Sequence, residues 1–145
     1  MAKDMKISVG AANAALDALV DALDTTGQKC TIKIYAGSIP ATVATALHST
    51  TNPELADIHF ANPAFGTAAT NQVVANATST SETSAVSGTA SFFRAYKSAG
   101  AATTAGLIQG TCGTTSSFDM NMNTTSIATG ATVTITSWTI TMPLG

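Results

Sequence analysis

The sequence predicts a mainly β protein, an antiparallel β-sandwich of jelly-roll type that begins with one amphipathic α-helix. Roughly seven or eight short segments of alternating apolar and polar residues follow one another at intervals of about ten residues, with turn residues between them. Helical periodicity is confined to the start of the chain. A chain of 145 residues is long enough for one hydrophobic core. We therefore expect a single domain, residues 1–145, with the helix over about 9–24 and the sandwich over about 29–143.

The first element is predicted to be a helix because its apolar residues recur every three or four positions. These residues are Ala12, Leu16, Leu19, Val20 and Leu23. Ser8 is a suitable N-cap, and Gly27 lies where a helix C-cap is expected. Asp17, Asp21 and Asp24 fall together on another face. We expect this acidic face to be solvated, with contact to a basic partner as the alternative.

Period-two alternation begins after the helix and predicts several strands in the middle of the chain. Residues 29–36 read as a half-buried strand that is closed by a Gly and a Pro. Residues 41–53 are predicted to be a loop. In residues 56–60 the apolar side chains share one face, which places His59 on the polar face as an ordinary surface imidazole. Residues 71–74 predict another short strand.

The strongest strand signal follows a Ser/Thr-rich stretch, residues 76–88, which is predicted to be a long loop. Residues 89–97 carry aromatic side chains on both faces, so this strand is buried on both sides or lies at an interface. Arg94 shares a face with Phe92 and Tyr96, and we expect it to stack or pair there in a structural role. After a turn at residues 98–100, a further strand is predicted to return the chain.

The last part of the chain predicts two more strands. In residues 118–123 the apolar side chains of Phe118 and two methionines alternate with an outer face of Asp119 and two asparagines. In the longest strand, residues 131–142, the apolar parity changes midway. Either a β-bulge at residues 136–137 keeps all the apolar residues in one core, which we favour, or the Trp138 half leaves the core to contact a neighbour.

The composition argues against enzymatic chemistry. Charged residues make up 10% of the chain and the net charge is −2, whereas globular proteins average about 25% charged residues. From residue 100 to the end, Asp119 is the only ionisable side chain apart from Cys112 and the chain terminus. No nucleophile elbow, phosphate loop or dinucleotide fingerprint occurs. We therefore predict no enzymatic activity, no catalytic residues and no cofactor.

Metal, nucleic acid and membrane are not predicted as partners either. Cys30 and Cys112 fall in strand-like runs and are expected to be small buried hydrophobes, with a disulfide between them as the alternative. Neither they nor His48 and His59 have a second ligand at metal-binding spacing. The six basic residues are scattered, so no stripe exists for phosphates. No apolar run approaches the roughly 20 residues of a membrane span, and the first residues lead into no signal-peptide core.

Several segments resemble small virion proteins of tailed bacteriophages. They are residues 32–40 (IKIYAGSIP), 88–96 (GTASFFRAY), 109–111 (QGT), 119–127 (DMNMNTTSI) and 133–143 (VTITSWTITMP). The resemblance covers about two thirds of the chain and consists of strand and turn patterns. It implies a structural role and no catalytic residues.

From this resemblance we expect a capsid decoration or cement protein that binds the outer surface of the major capsid protein lattice. The chain would form homo-oligomers, be made in the cytoplasm of the host bacterium and reside in the virion. Our candidate interface residues are Tyr35, Arg94, Tyr96 and Trp138. Two alternatives are a tail or head-to-tail connector protein, and a receptor-binding or carbohydrate-binding β-sandwich module in which exposed aromatic rings stack on sugars. An aromatic content of 6% with one Trp is thin for such a module.

Overall fold

The computed structural model describes residues 4–24, 30–76, 86–97 and 106–145. It confirms a mainly β fold with one N-terminal helix. The elements are α1 (Val9–Asp21), β1 (Thr31–Tyr35), β2 (Glu54–His59), β3 (Gln72–Val74), β4 (Gly88–Thr89), β5 (Phe92–Tyr96), β6 (Ile108–Gly113), β7 (Met120–Met122), β8 (Ser126–Ile127) and β9 (Ile135–Thr141).

Seven of the strands form one sheet in the order β2-β1-β5-β6-β7-β9-β3, and β4 and β8 form a separate two-stranded ribbon. All the pairs are antiparallel except β6 and β7, which makes the large sheet mixed. Parallel neighbours usually need a long crossover. Here only the end of β6 pairs with the start of β7, at Cys112↔Met120 and Gly113↔Asn121. Because the paired region is so short, a short connection between the two strands is sufficient.

Helix α1 closes one side of the core. The Ser8 hydroxyl accepts a hydrogen bond from the Ala11 amide at 3.2 Å, which confirms the predicted N-cap. Leu16, Val20 and Leu23 belong to the same buried cluster as the inner residues of the sheet. The helix ends with Ala22 as its C-cap, and Gly27 lies outside the described residues.

The predicted solvated acidic face is wrong for two of its three aspartates. Asp17 Oδ1 accepts a hydrogen bond from the Ala68 amide at 2.7 Å, and Asp24 Oδ2 accepts one from the Ala64 amide at 2.6 Å. One helical turn before Asp17, Asn13 Oδ1 accepts from the Asn71 amide at 2.9 Å. These side chains satisfy backbone donors of the segment that leads into β3, and only tertiary packing brings that segment to the helix.

A β-bulge lies in β9, where the change of apolar parity predicted one. Met120 pairs with Trp138 and Met122 pairs with Ile135, so Thr136 is the extra residue. Trp138 is buried against the rings of Phe60, Phe65 and Phe93, with centroid separations of 4.9–6.2 Å. The bulge prediction is confirmed, and the alternative that Trp138 faces a neighbour is not what the fold shows.

The loop predictions have mixed outcomes. Residues 41–53 contain turns and no helix or strand, as expected. The strand predicted over 89–97 is divided into β4 and β5. Most of the loop predicted over 76–88, and the turn at 98–100, lie outside the described residues. Cys30 and Cys112 are buried free thiols, as the strand pattern indicated.

Candidate functional site

The outer face of β1 and β5 carries three of the four residues that the sequence proposed for an interface. The strand register places Tyr35 opposite Phe92, Lys33 opposite Arg94 and Thr31 opposite Tyr96. The inner residues of both strands belong to the core cluster, whereas these do not. All of them except the half-buried Lys33 are nevertheless buried, so another part of the chain must cover this half of the sheet.

The cover is residues 38–53, which we name the strap. Arg94 donates from Nη1 to the Thr45 carbonyl at 2.8 Å and from Nη2 to the Thr42 carbonyl at 3.3 Å. The neighbouring Gln109, on β6, donates from Nε2 to the Pro40 carbonyl at 2.8 Å. Side chains of two adjacent strands therefore hold the strap by its backbone, independently of its side chains.

The two ends of the strap are also fastened together. Asn52 Nδ2 donates to the Ser38 carbonyl at 3.0 Å, and the Ala36 amide donates to the Pro53 carbonyl at 3.1 Å. Gly37 has a φ of +88°, a conformation that favours glycine. A side chain there would also overlap the Thr51 carbonyl. The strap is thus a closed loop of defined shape.

Arg94 is unusual in its surroundings. It is 3% exposed, and in the described part of the chain no carboxylate lies within ion-pair distance of its guanidinium. Its polar contacts are the two strap carbonyls and Gln109 Oε1, which accepts from Nε at 3.1 Å. The planar guanidinium can serve several acceptors at once. The guanidinium of Arg94 is paired on this face, which was one of the two expected arrangements, and its partners are backbone carbonyls and an amide oxygen.

The two tyrosines flank Arg94 along this face. Their hydroxyls lie 3.2 Å apart, and the Tyr35 ring stacks on Phe92 at 5.2 Å. Burial, followed by the hydrogen bond to Tyr96, raises the pKa of Tyr35 well above its ordinary value of 10.0. Both effects favour the neutral phenol over the anion.

None of the sequence-proposed interface residues presents its side chain to solvent. The exposed fractions are 5% for Tyr35, 3% for Arg94, 8% for Tyr96 and 3% for Trp138. Tyr35, Arg94 and Tyr96 lie on the outer face of the sheet, and Trp138 lies in the core.

The outer faces of β1 and β2 meet at a polar cluster. Lys33 Nζ bonds both carboxylate oxygens of Glu54, at 3.1 and 2.9 Å, and lies 3.3 Å from Asp57 Oδ2. Burial lowers the pKa of Lys33, but the Glu54 and Asp57 contacts together raise it above its ordinary 10.5. The cluster is an ion pair network at a sheet edge.

His59 lies in the same cluster, on the polar face that the alternation indicated. Its Nδ1 is 3.0 Å from Thr31 Oγ1, and its Nε2 is 3.9 Å from Asp57 Oδ1. A hydroxyl, an imidazole and a carboxylate thus lie in sequence. However, Thr31 is fully buried, so a substrate cannot reach the hydroxyl in this arrangement.

A second surface feature lies on the uncovered half of the sheet. It is a groove of about 440 Å³, lined by Ser116, Phe118, Asp119, Asn121, Ser137, Thr139 and Thr141. We name it the polar groove. Its walls come from β7, β9 and the connection before β7. The outward positions of Asp119 and Asn121 agree with the predicted alternation.

Phe118 departs from the predicted alternation. It is 43% exposed instead of buried with the methionines. The reason is that β7 begins at Met120, so Phe118 belongs to the preceding turn, where period two does not apply. Gln109 and Asn52, which also anchor the strap, could not be predicted from the sequence. No local pattern marks a side chain that bonds the backbone of a distant loop.

The described residues contain neither a metal-ligand cluster nor a membrane-spanning helix. Nowhere in residues 4–24, 30–76, 86–97 and 106–145 do three or more His, Cys, Asp or Glu side chains cluster as a metal site would require. The helix described is too short to cross a membrane.

Comparisons with protein-family models, with curated proteins and with solved structures found no significant match.

Proposed function

We propose that this chain is a structural protein of a tailed-phage particle, and that it binds the outer surface of the major capsid protein lattice through the strap. The observation that carries the proposal is the strap itself: an exposed segment of defined shape, held by Arg94 and Gln109, in which His48 is the only ionisable side chain. Long loops without secondary structure are usually functional.

The shape of the strap supports protein contact. A preorganised loop loses little conformational entropy when a partner binds. A shallow cavity of about 550 Å³ opens beside it, lined in part by Ile39, Pro40, Ala46 and His48. Ile39 is a large apolar side chain that remains exposed. Such a neutral, partly apolar hollow suits a side chain of a protein partner.

The scarcity of charge supports a permanent place in an assembly. A net charge of −2 over 145 residues gives little mutual repulsion between copies. Contacts through neutral surfaces resist salt, whereas ionic contacts are screened. The proposal therefore includes self-association, residence in the virion after synthesis in the host bacterium, and no enzymatic activity.

The test adds purified protein to phage heads made without it, and measures cosedimentation at low salt and at about 1 M salt, where the Debye length is about 3 Å. We expect binding under both conditions. Ala44→Lys places a charge on an exposed strap position, and Ala14→Lys makes the same change on the exposed face of α1. Burial of an unpaired ammonium should weaken binding roughly tenfold or more for Ala44→Lys alone.

Release of the wild-type protein by salt would contradict the proposal, as would equal binding of the two lysine variants. Thermal melts of both variants provide the folding control. Binding to tails or connectors instead of heads would support the structural role but move it to another part of the particle.

A further inference from the structure

The polar groove has the dimensions of a small-ligand site. Its volume of about 440 Å³ falls within the range of about 300–1,000 Å³ that is usual for such sites. It lies on the half of the sheet that the strap does not reach. We propose that the polar groove binds a neutral sugar ring. This inference does not rest on the proposed function.

Phe118 supplies an aromatic surface at one end of the groove. A β-carbon placed on Gly113 would overlap the Phe118 ring, so the ring packs directly on the glycine backbone. The rest of the ring remains accessible, since the residue is 43% exposed. The C–H face of a sugar packs well on an aromatic ring held in this way.

Asp119 supplies a fixed, charged acceptor. Its Oδ2 accepts hydrogen bonds from the amide and the hydroxyl of Thr111, both at 2.8 Å. Gly110 permits this close approach, because a β-carbon there would lie 2.9 Å from the same oxygen. Oδ1 has no hydrogen bond within the described residues and can accept one from a sugar hydroxyl. Hydrogen bonds to a carboxylate are roughly twice as strong as neutral ones.

The remaining wall offers groups that both donate and accept. Ser137, Thr139 and Thr141 occupy alternate positions of β9 and therefore share one face. Asn121 Nδ2 donates to Ser137 Oγ at 3.0 Å, which leaves the Ser137 hydroxyl proton free to donate. Sugar hydroxyls likewise donate and accept, so a row of hydroxyls complements them.

The same lining disfavours other ligands. No basic side chain lines the groove, and Asp119 would repel a phosphate or carboxylate. A single carboxylate offsets only half the charge of a calcium ion, which disfavours that ion here. An apolar ligand would leave the hydroxyls and the amide without hydrogen bonds. A neutral polyhydroxylated ring can hydrogen-bond to the carboxylate, the hydroxyls and the amide of the groove without charge repulsion.

Saturation-transfer difference NMR on the full chain tests this inference, with glucose, galactose, mannose and N-acetylglucosamine as probes, each also as its methyl glycoside. We expect transfer to at least one sugar. Binding of a methyl glycoside alone would support the groove and indicate a polysaccharide residue as the source, whereas binding of the free sugar indicates a small molecule.

Two groove variants and one matched control locate the site. Phe118→Ala should weaken binding roughly tenfold. Thr139→Val keeps the shape and removes one hydroxyl, so it should also weaken binding. Val74→Thr makes the reverse change at the exposed β3 residue that pairs with Thr139 and lies outside the groove lining, and it should bind as the wild type does.

The inference is overturned if no probe shows transfer, or if Thr139→Val and Phe118→Ala, with wild-type melting temperatures, bind as well as Val74→Thr. If Phe118→Ala unfolds, the sugar binding of Thr139→Val alone decides whether the polar groove is the site. Ala44→Lys should retain sugar binding, which separates failure of the groove from failure of the strap.

Discussion

Trp138 links three distant segments of the chain within the core. Its ring contacts aromatic rings from β5 and from the segment around residues 60–65, and its backbone pairs with β7. Dispersion contacts of this kind are individually small and collectively large. The residue therefore contributes to packing, and the bulge at Thr136 is what allows it to point inward.

We expect Trp138→Ala to lower the free energy of unfolding by about 3–5 kcal/mol, since it leaves a cavity in a packed core. Urea denaturation followed by circular dichroism measures the loss. Thr139→Ala, at the exposed neighbouring position, is the control and should change stability by no more than about 0.5 kcal/mol. Similar stability of the two variants would remove Trp138 from the core.

At the scale of elements, the strap behaves as a unit because its anchors lie outside it. Arg94 on β5 and Gln109 on β6 are paired in register, and each bonds strap carbonyls. Helix α1 anchors the segment before β3 in the same manner, through Asn13 and Asp17. In both places polar side chains of a regular element replace the hydrogen bonds that an irregular segment lacks.

Arg94→Met should release the strap. The Thr45 carbonyl loses its Arg94 donor, the Thr42 carbonyl keeps only the Thr45 amide, and we expect a loss of about 1–3 kcal/mol in stability. Hydrogen exchange with mass spectrometry should show faster exchange in residues 38–53 and unchanged exchange in α1. Arg94→Lys should not restore protection, because an ammonium lacks the planar fork that reaches both carbonyls. Unchanged exchange in the strap would refute its dependence on Arg94.

At the scale of the whole molecule, burial of the thiols makes stability depend on alkaline pH. Burial raises the pKa of Cys30 and Cys112 from 9.0 to about 12, and the charge of Asp24 adds to the effect at Cys30. Between these values the unfolded chain loses thiol protons that the folded chain keeps. The folded state then binds more protons, so its stability falls as pH rises.

We therefore expect the melting temperature to fall as the pH rises from 9.0 toward about 12. Tyr35 and Lys33, whose pKa values are also raised in the fold, add to the fall above their ordinary values of 10.0 and 10.5. The double variant Cys30→Ala and Cys112→Ala should melt lower at neutral pH but show a shallower fall. An equal slope for the two proteins would show that other groups cause the pH dependence.

The sequence by itself determined the elements whose signals are local. Helical spacing and Ser8 determined α1, alternation located most strands, and the parity change in β9 determined the bulge. The low content of charged residues determined that the surface is nearly neutral. Each of these depends on contacts between near neighbours along the chain or on a repeat that one face imposes.

Only the tertiary structure decided what covers each face. The strap held by β5 and β6, the backbone carbonyls around Arg94 and the loop contacts of Asp17 all join residues distant in sequence. The same holds for Tyr35, Arg94 and Tyr96, which lie on the outer face of β1 and β5 and are buried there. Alternation specifies that a side chain leaves the core side of its strand, but whether solvent or a distant loop meets it depends on long-range packing.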